Sequence, residues 1–159
     1  MAVLLRLLFL APVAFILACI AAGAVIVFSL LHRLTPVPDG PELWAVVAGA
    51  SMTVAFIAAL PALFAVILAE AFGWRTLFYW LAVGGLIAAA AVATPYFAGQ
   101  MQLVAGMILL IAWIPHVTEV DTSSPTSFAT VAFAAGFVGG FVYWLIAGRM
   151  AGIEPTSRA

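Results

Sequence analysis

Charge is what this sequence lacks over most of its length. Five apolar runs contain no Asp, Glu, Arg or His, namely residues 7–31, 43–69, 77–97, 103–115 and 128–148. Hydrophobic residues make up 67% of the chain and charged residues 7%, a composition far from that of soluble domains. Apolar runs of this length are typical of membrane-spanning helices. We therefore predict an all-α transmembrane helical bundle that forms a single domain over residues 1–159.

Other absences exclude whole classes of function. Lys is missing and the five Arg are scattered, so neither a phosphate-binding loop with its lysine nor a basic stripe for nucleic acid is present. Cys19 is the only cysteine, which excludes an internal disulfide, a redox thiol pair and a cysteine cage for metal. Both histidines, His32 and His116, lie outside the apolar runs, where they cannot clamp a haem between spans. We expect no cofactor and no nucleic-acid partner.

The chain also lacks the side chains of common membrane enzymes. Ser51 and Thr53 have no neighbouring base, and a helical hydroxyl normally bonds back to its own backbone. Asp39 and Asp121, the nearest approach to an aspartic peptidase pair, fall in irregular loops. We predict that the protein is not an enzyme.

Residues of the types that can bind a metal ion occur together in one loop. His116, Glu119 and Asp121 are close in sequence, and His32 joins them if it lies on the same side of the membrane. Their spacing is not diagnostic of any metal site. No metal site is predicted.

The N-terminal run imitates a signal peptide but is too long for one. Residues 7–31 would extend about 37 Å as a helix, enough to cross a bilayer core of about 30 Å. Signal-peptide cores are on the order of 7–15 residues. We favour an uncleaved first span, with cleavage or lipid attachment at Cys19 as the alternative.

Proline and glycine separate the remaining spans. Three prolines and one glycine in residues 32–42 end the first span, and the second follows over 43–70 with a kink expected at Pro61. A short connection leads to a third span over 76–97, and the last covers 127–148. Residues 99–116 form a short apolar segment before the last span; its core, residues 103–114, is apolar on every side but short for a full span. This segment is either a re-entrant half-helix or a fifth span.

The arginines favour four spans over five. With four spans and both termini in the cytoplasm, Arg6, Arg75, Arg149 and Arg158 lie inside and Arg33 alone lies outside. Five spans divide them three to two at best, which fits the positive-inside rule less well. We predict four spans with cytoplasmic N- and C-termini.

Small residues recur at intervals of four. The last span carries Ala132, Gly136 and Gly140, and similar ridges occur in the first span (Ala14, Ala18, Ala22) and the third (Gly84, Ala88). Such ridges let helix backbones approach closely. We expect them to pack inside the bundle. The alternative is a surface for a second copy or a larger complex.

Three ionisable residues are candidate functional residues. Glu70 lies at the end of the second span with Arg75 across the turn, which favours an interfacial pair over a substrate or proton site. Arg149 follows the interfacial aromatics Tyr143 and Trp144, where lipid phosphates and the negative end of the helix both favour a cation. An anchoring role is expected for Arg149, with recognition of a specific lipid or protein as the alternative.

The C-terminal segment carries a resemblance. Residues 143–152, YWLIAGRMAG, together with Leu60-Pro61, Glu70, Arg75 and residues 77–79, resemble a family of uncharacterised bacterial four-span inner-membrane proteins. The resemblance implies four spans and a cytoplasmic C-terminus. It implies no activity.

Two hypotheses for the function remain. We prefer a non-catalytic protein of the bacterial inner membrane, an accessory or scaffold subunit that contacts lipids and a membrane-protein complex or its own copies. The alternative is a small transporter or channel in which Ser51, Thr53 and the Pro61 kink line a path for a neutral or apolar solute.

Overall fold

The computed structural model describes residues 9–30, 40–93 and 125–150. Its regular elements in these ranges are helices: α1, Ala11–Leu30; α2, Gly40–Phe72; α3, Leu77–Ala93; α4, Pro125–Ile146; and a 3-10 turn, Gly148–Met150. This confirms the all-helical part of the predicted fold class. The short apolar segment at 99–116 and the loop residues His32, His116, Glu119 and Asp121 lie outside the described residues.

Helix α2 begins three residues before the predicted start of the second span. Gly40 has a φ of 46°, and Pro41 follows in the first turn, where the missing N–H would have no helical partner in any case. The carboxylate of Glu42 lies in the same turn, near the positive end of the helix dipole. Helix α2 continues through Pro61 for 33 residues, about 50 Å, and so exceeds the thickness of a bilayer core.

A glycine in the left-handed region ends α2. Gly73 has a φ of 65°, and the N–H of Trp74 donates to the carbonyl of Ala69 at 2.9 Å. This is the Schellman pattern, in which the residue after the helix needs a positive φ. The chain reverses here, and α3 starts at Leu77.

The helices lie side by side in the order α2, α1, α4, α3. Gly84 of α3 faces Gly136 of α4, and Trp80 faces Gly140, so these two helices are antiparallel. Helices α2 and α3 are joined by a short turn but make few contacts with each other. Helix α4 is therefore central, with α1 on one side and α3 on the other.

Burial follows a pattern opposite to that of soluble proteins. The buried core of the described residues consists mainly of alanine: Ala14, Ala18, Ala22, Ala50, Ala58, Ala65, Ala69, Ala88, Ala135 and Ala147. Large apolar side chains are exposed instead, among them Phe56 at 83%, Leu60 at 80% and Phe78 at 81%. Small residues between helices and large apolar residues outside are typical of helices packed in lipid.

Candidate functional site

Helices α3 and α4 meet backbone to backbone at two glycines. A Cβ built on Gly136 would lie 2.9 Å from Cβ of Ala88 and would overlap the carbonyl oxygen of Gly84. A Cβ on Gly140 would overlap the carbonyl oxygen of Trp80. Only glycine fits at these two positions without moving the helices apart.

The adjacent face of α4 packs against α1. A Cβ on Gly139 would lie 3.5 Å from the carbonyl oxygen of Ala18 and 3.6 Å from Cβ of Ala22, which is ordinary van der Waals contact. Ala135 is buried on α4, and Ala132 is half-buried. Small residues from three helices thus contact one another within the chain.

Helices α1 and α2 cross at Gly23 and Ser51. A Cβ on Gly23 would overlap Oγ of Ser51 and lie 2.7 Å from its backbone nitrogen. The Ser51 hydroxyl is buried and donates to the carbonyl of Val47 at 2.7 Å, and the Thr53 hydroxyl donates to that of Gly49 at 3.0 Å. Both hydroxyls bond back to their own helix, as is expected of Ser and Thr within a helix.

Five aromatic rings form a continuous row where α2 joins α3 and α4 ends. We call this part of the bundle the turn end. The row runs through Phe72, Trp74, Tyr79, Trp80 and Tyr143, with successive ring centroids 5.1, 4.9, 5.1 and 4.5 Å apart. These distances fall in the range in which aromatic pairs attract one another. Trp and Tyr favour the membrane–water interface because their rings are apolar and their polar tips can stay hydrated.

Two aromatic side chains also tie separate segments together. The hydroxyl of Tyr79 on α3 donates to the carbonyl of Ala65 on α2 at 2.7 Å. The indole Nε1 of Trp144 on α4 donates to the carbonyl of Arg75 in the turn at 2.8 Å. The turn is therefore held to α4 as well as to the helices it connects.

Trp80 packs against the end of α4. Its side chain is 4% exposed, and a Cβ on Gly148 would lie 2.5 Å from its Nε1. That Nε1 has no hydrogen-bond acceptor among the residues the structure describes. Gly148 thus permits a close approach to Trp80. Helix α4 itself ends at Ile146, two residues before the expected end at Gly148.

The structure places all three candidate ionisable residues at the turn end. Glu70 is half-buried in the last turn of α2. Arg75 is exposed in the turn, and Arg149 is exposed in the 3-10 turn after α4. Within residues 9–30, 40–93 and 125–150, no three His, Cys, Asp or Glu residues are grouped as metal ligands.

The hydrogen bonds of these aromatic residues are not predicted by the sequence pattern. Trp144 is expected near an interface, but its sequence neighbours identify no partner across the bundle. Each of these rings carries a polar atom and lies close in sequence to a short turn or a helix end. This position in the sequence indicates that the ring forms a hydrogen bond but does not identify the acceptor. The acceptor of Trp144, for example, is 69 residues away in the chain.

The lengths, apolar surfaces and contacts of the helices indicate the structural class of the protein. Helices α1, α2 and α4 are long and apolar enough to cross a membrane, and α3 is a shorter apolar helix of 17 residues. With contacts lined by small residues and an apolar exterior, they indicate a multi-pass helical membrane protein. The chain matches no protein-family model, no curated protein and no solved structure. The resemblance based on the C-terminal segment therefore stays a prediction.

Proposed function

We propose that this chain is a non-catalytic accessory or scaffold subunit of a bacterial inner membrane, which binds a partner membrane protein by helix packing. The observation that carries the proposal is the outer face of α2. Six large apolar side chains there are each more than half exposed: Met52, Phe56, Leu60, Leu63, Phe64 and Ile67. They recur every three to four residues or less, so they share one face of the helix.

The small-residue ridge of α4 is occupied by contacts within the chain, which supports the outer face of α2 as the partner surface. Gly136 and Gly140 face α3 and Gly139 faces α1, so the ridge of α4 packs inside the chain. Among the described helices, α2 contacts α1 along one side and α3 very little, and the large side chains of its outer face are exposed to lipid or to another apolar helix. Helix association in lipid is driven by van der Waals packing, so a face of large apolar side chains can contact either lipid tails or another helix.

Charge supports a four-span topology with cytoplasmic termini. Among the described residues, Arg75 and Arg149 lie at the turn end, whereas Glu42 lies at the opposite end of α2. Under the positive-inside rule the turn end faces the cytoplasm. The resemblance to four-span proteins of the bacterial inner membrane agrees with this orientation.

The second hypothesis, a small transporter, draws no support from the residues that would line its path. The Ser51 hydroxyl is engaged with its own helix, and Gly23 of α1 packs directly against it. Pro61 is exposed on the outside of α2. These contacts support packing in place of a solute path.

Site-specific photocrosslinking in native membranes tests the proposal. A photoreactive residue replaces Phe56 on α2 or, as the matched control, Ile16 on α1, which is 56% exposed. We expect the Phe56 position to yield one discrete crosslinked protein that also co-purifies at fixed stoichiometry in mild detergent. The Ile16 position should crosslink to lipid.

Two results would overturn the proposal. One is lipid adducts alone at both positions, which would make the outer face of α2 a lipid-facing surface. The other is a monodisperse homo-oligomer that moves a neutral solute across liposomes, which would establish the transporter hypothesis.

A further inference from the structure

The turn end carries an excess of positive charge among the described residues. Arg75 and Arg149 are both exposed there, and Glu70 is half-buried. At the opposite end of α2 the described ionisable residue is Glu42. Two arginines and one carboxylate give the described residues of this end a net charge of +1, which attracts anions.

Contacts at the turn end hold the two arginines on neighbouring segments. The Trp144 indole donates to the backbone carbonyl of Arg75, and Trp144 precedes Arg149 by five residues. Trp80 packs against Gly148, which places the 3-10 turn that carries Arg149 on α3. The turn before α3 and the turn after α4 therefore form one rim of the bundle.

An apolar surface continues from this rim. Phe72 is 64% exposed and Trp74 is 44% exposed, and their rings stack at 5.1 Å beside Arg75. A cationic rim above an apolar surface matches the order of groups in a phospholipid, with its phosphate above its acyl chains.

We propose that this rim binds an anionic phospholipid, with its phosphate at Arg75 and Arg149 and its acyl chains along Phe72 and Trp74. The guanidinium group can pair with two phosphate oxygens at once, which favours arginine over lysine for this task. The continuous apolar surface favours a lipid over a soluble phosphate, because a soluble phosphate would need only the two charges. The proposal goes beyond partner binding and requires only that the chain is inserted in a bilayer.

Quenching of tryptophan fluorescence by brominated lipids tests the site in vesicles. In a Trp44→Phe/Trp113→Phe background, the three remaining tryptophans are Trp74, Trp80 and Trp144, all at the turn end. The full chain is reconstituted in phosphatidylcholine vesicles with a minor fraction of either brominated phosphatidylglycerol or brominated phosphatidylcholine. We expect a relative affinity for phosphatidylglycerol of about fivefold or more, since one basic residue near an anionic lipid contributes about that factor.

Charge variants assign the preference to the rim. Arg75→Gln/Arg149→Gln should reduce the ratio to about one, and Arg149→Gln alone should give an intermediate ratio. Arg149→Lys should retain more of the preference than Arg149→Gln because the charge is kept. The matched control, Arg33→Gln/Arg158→Gln, removes the same net charge from residues that do not belong to the proposed site and should leave the ratio unchanged. Thermal unfolding in detergent verifies that each variant folds.

Three results would overturn the site. The first is a ratio near one in the starting protein. The second is an equal loss in the matched control, which would indicate attraction to the whole chain. The third is loss of the preference when inorganic phosphate is added in excess at constant ionic strength, which would indicate a soluble phosphate ligand.

Discussion

Glycines on α4 differ in what surrounds them, although they lie within one helical turn. Gly136 sits where a Cβ would overlap the backbone of α3, whereas a Cβ on Gly139 would make ordinary contact with α1. In a lipid environment, close backbone approach increases van der Waals contact between helices. Position 136 therefore requires glycine, whereas position 139 requires only a small residue.

We predict opposite outcomes for alanine at these two glycines. Gly136→Ala should lower the free energy of unfolding by about 1–3 kcal/mol, because α3 and α4 must move apart to admit the methyl group. Gly139→Ala should be neutral or slightly stabilising, because it fills space at van der Waals distance and favours helix. Denaturant unfolding in detergent micelles measures both. Equal destabilisation by the two substitutions would contradict the packing.

At the scale of elements, the connection between α2 and α3 is defined by one residue. Gly73 adopts a φ of 65°, and nothing lies within 4 Å of the position its Cβ would occupy. The need for glycine there is conformational, in contrast to Gly136, where it is steric. The direction in which the chain leaves α2, and with it the position of Arg75, depends on this conformation.

The loss of stability on substitution of Gly73 should depend on how well the new residue tolerates a positive φ. Gly73→Ala should destabilise the protein by about 1–2 kcal/mol, because a Cβ is unfavourable in the left-handed region. Gly73→Asn is the matched control and should cost less, since Asn tolerates this region better. Thermal unfolding in detergent, followed by the fluorescence of Trp74, measures the order. An equal effect of Ala and Asn would show that the turn adopts another conformation.

At the scale of the whole molecule, the described helices lie in the order α2, α1, α4, α3, and the outer two, α2 and α3, meet near the turn end. Helix α4 contacts both α1 and α3, whereas α2 and α3 share few contacts although a short turn joins them. The turn end is held by side chains from α3 and α4 that bond to backbone carbonyls of α2 and the turn. None of the other described helices covers the large apolar side chains on the outer face of α2, which are exposed.

Cysteine labelling tests the topology of the whole chain. In a Cys19→Ala background, single cysteines at Ala2 and Ser157 should react with a membrane-impermeant reagent from the same side, because four spans place both termini in the cytoplasm. A cysteine at Glu119 should react from the opposite side and serves as the control. Reaction of Ala2 and Ser157 positions from opposite sides would show an odd number of spans.

The sequence by itself determined the helical class of the protein and the approximate extent of its helices. Long uncharged runs allow few structures in lipid other than helices, because every backbone polar group must be paired within the segment. The ends were predicted less well. Helix α2 begins at Gly40, before the predicted start at residue 43, because Pro41 and Glu42 suit a first helical turn.

Only the tertiary structure decided which ridges meet and which atoms join distant segments. Small residues at intervals of four identify the helix faces that can pack closely. They do not predict that Gly136 faces Gly84 or that Gly139 faces Ala18. The bond from Trp144 to Arg75 likewise depends on how α4 lies against the turn. The physical reason is that helix formation depends on neighbouring residues and on lipid, whereas helix pairing depends on shapes far apart in the chain.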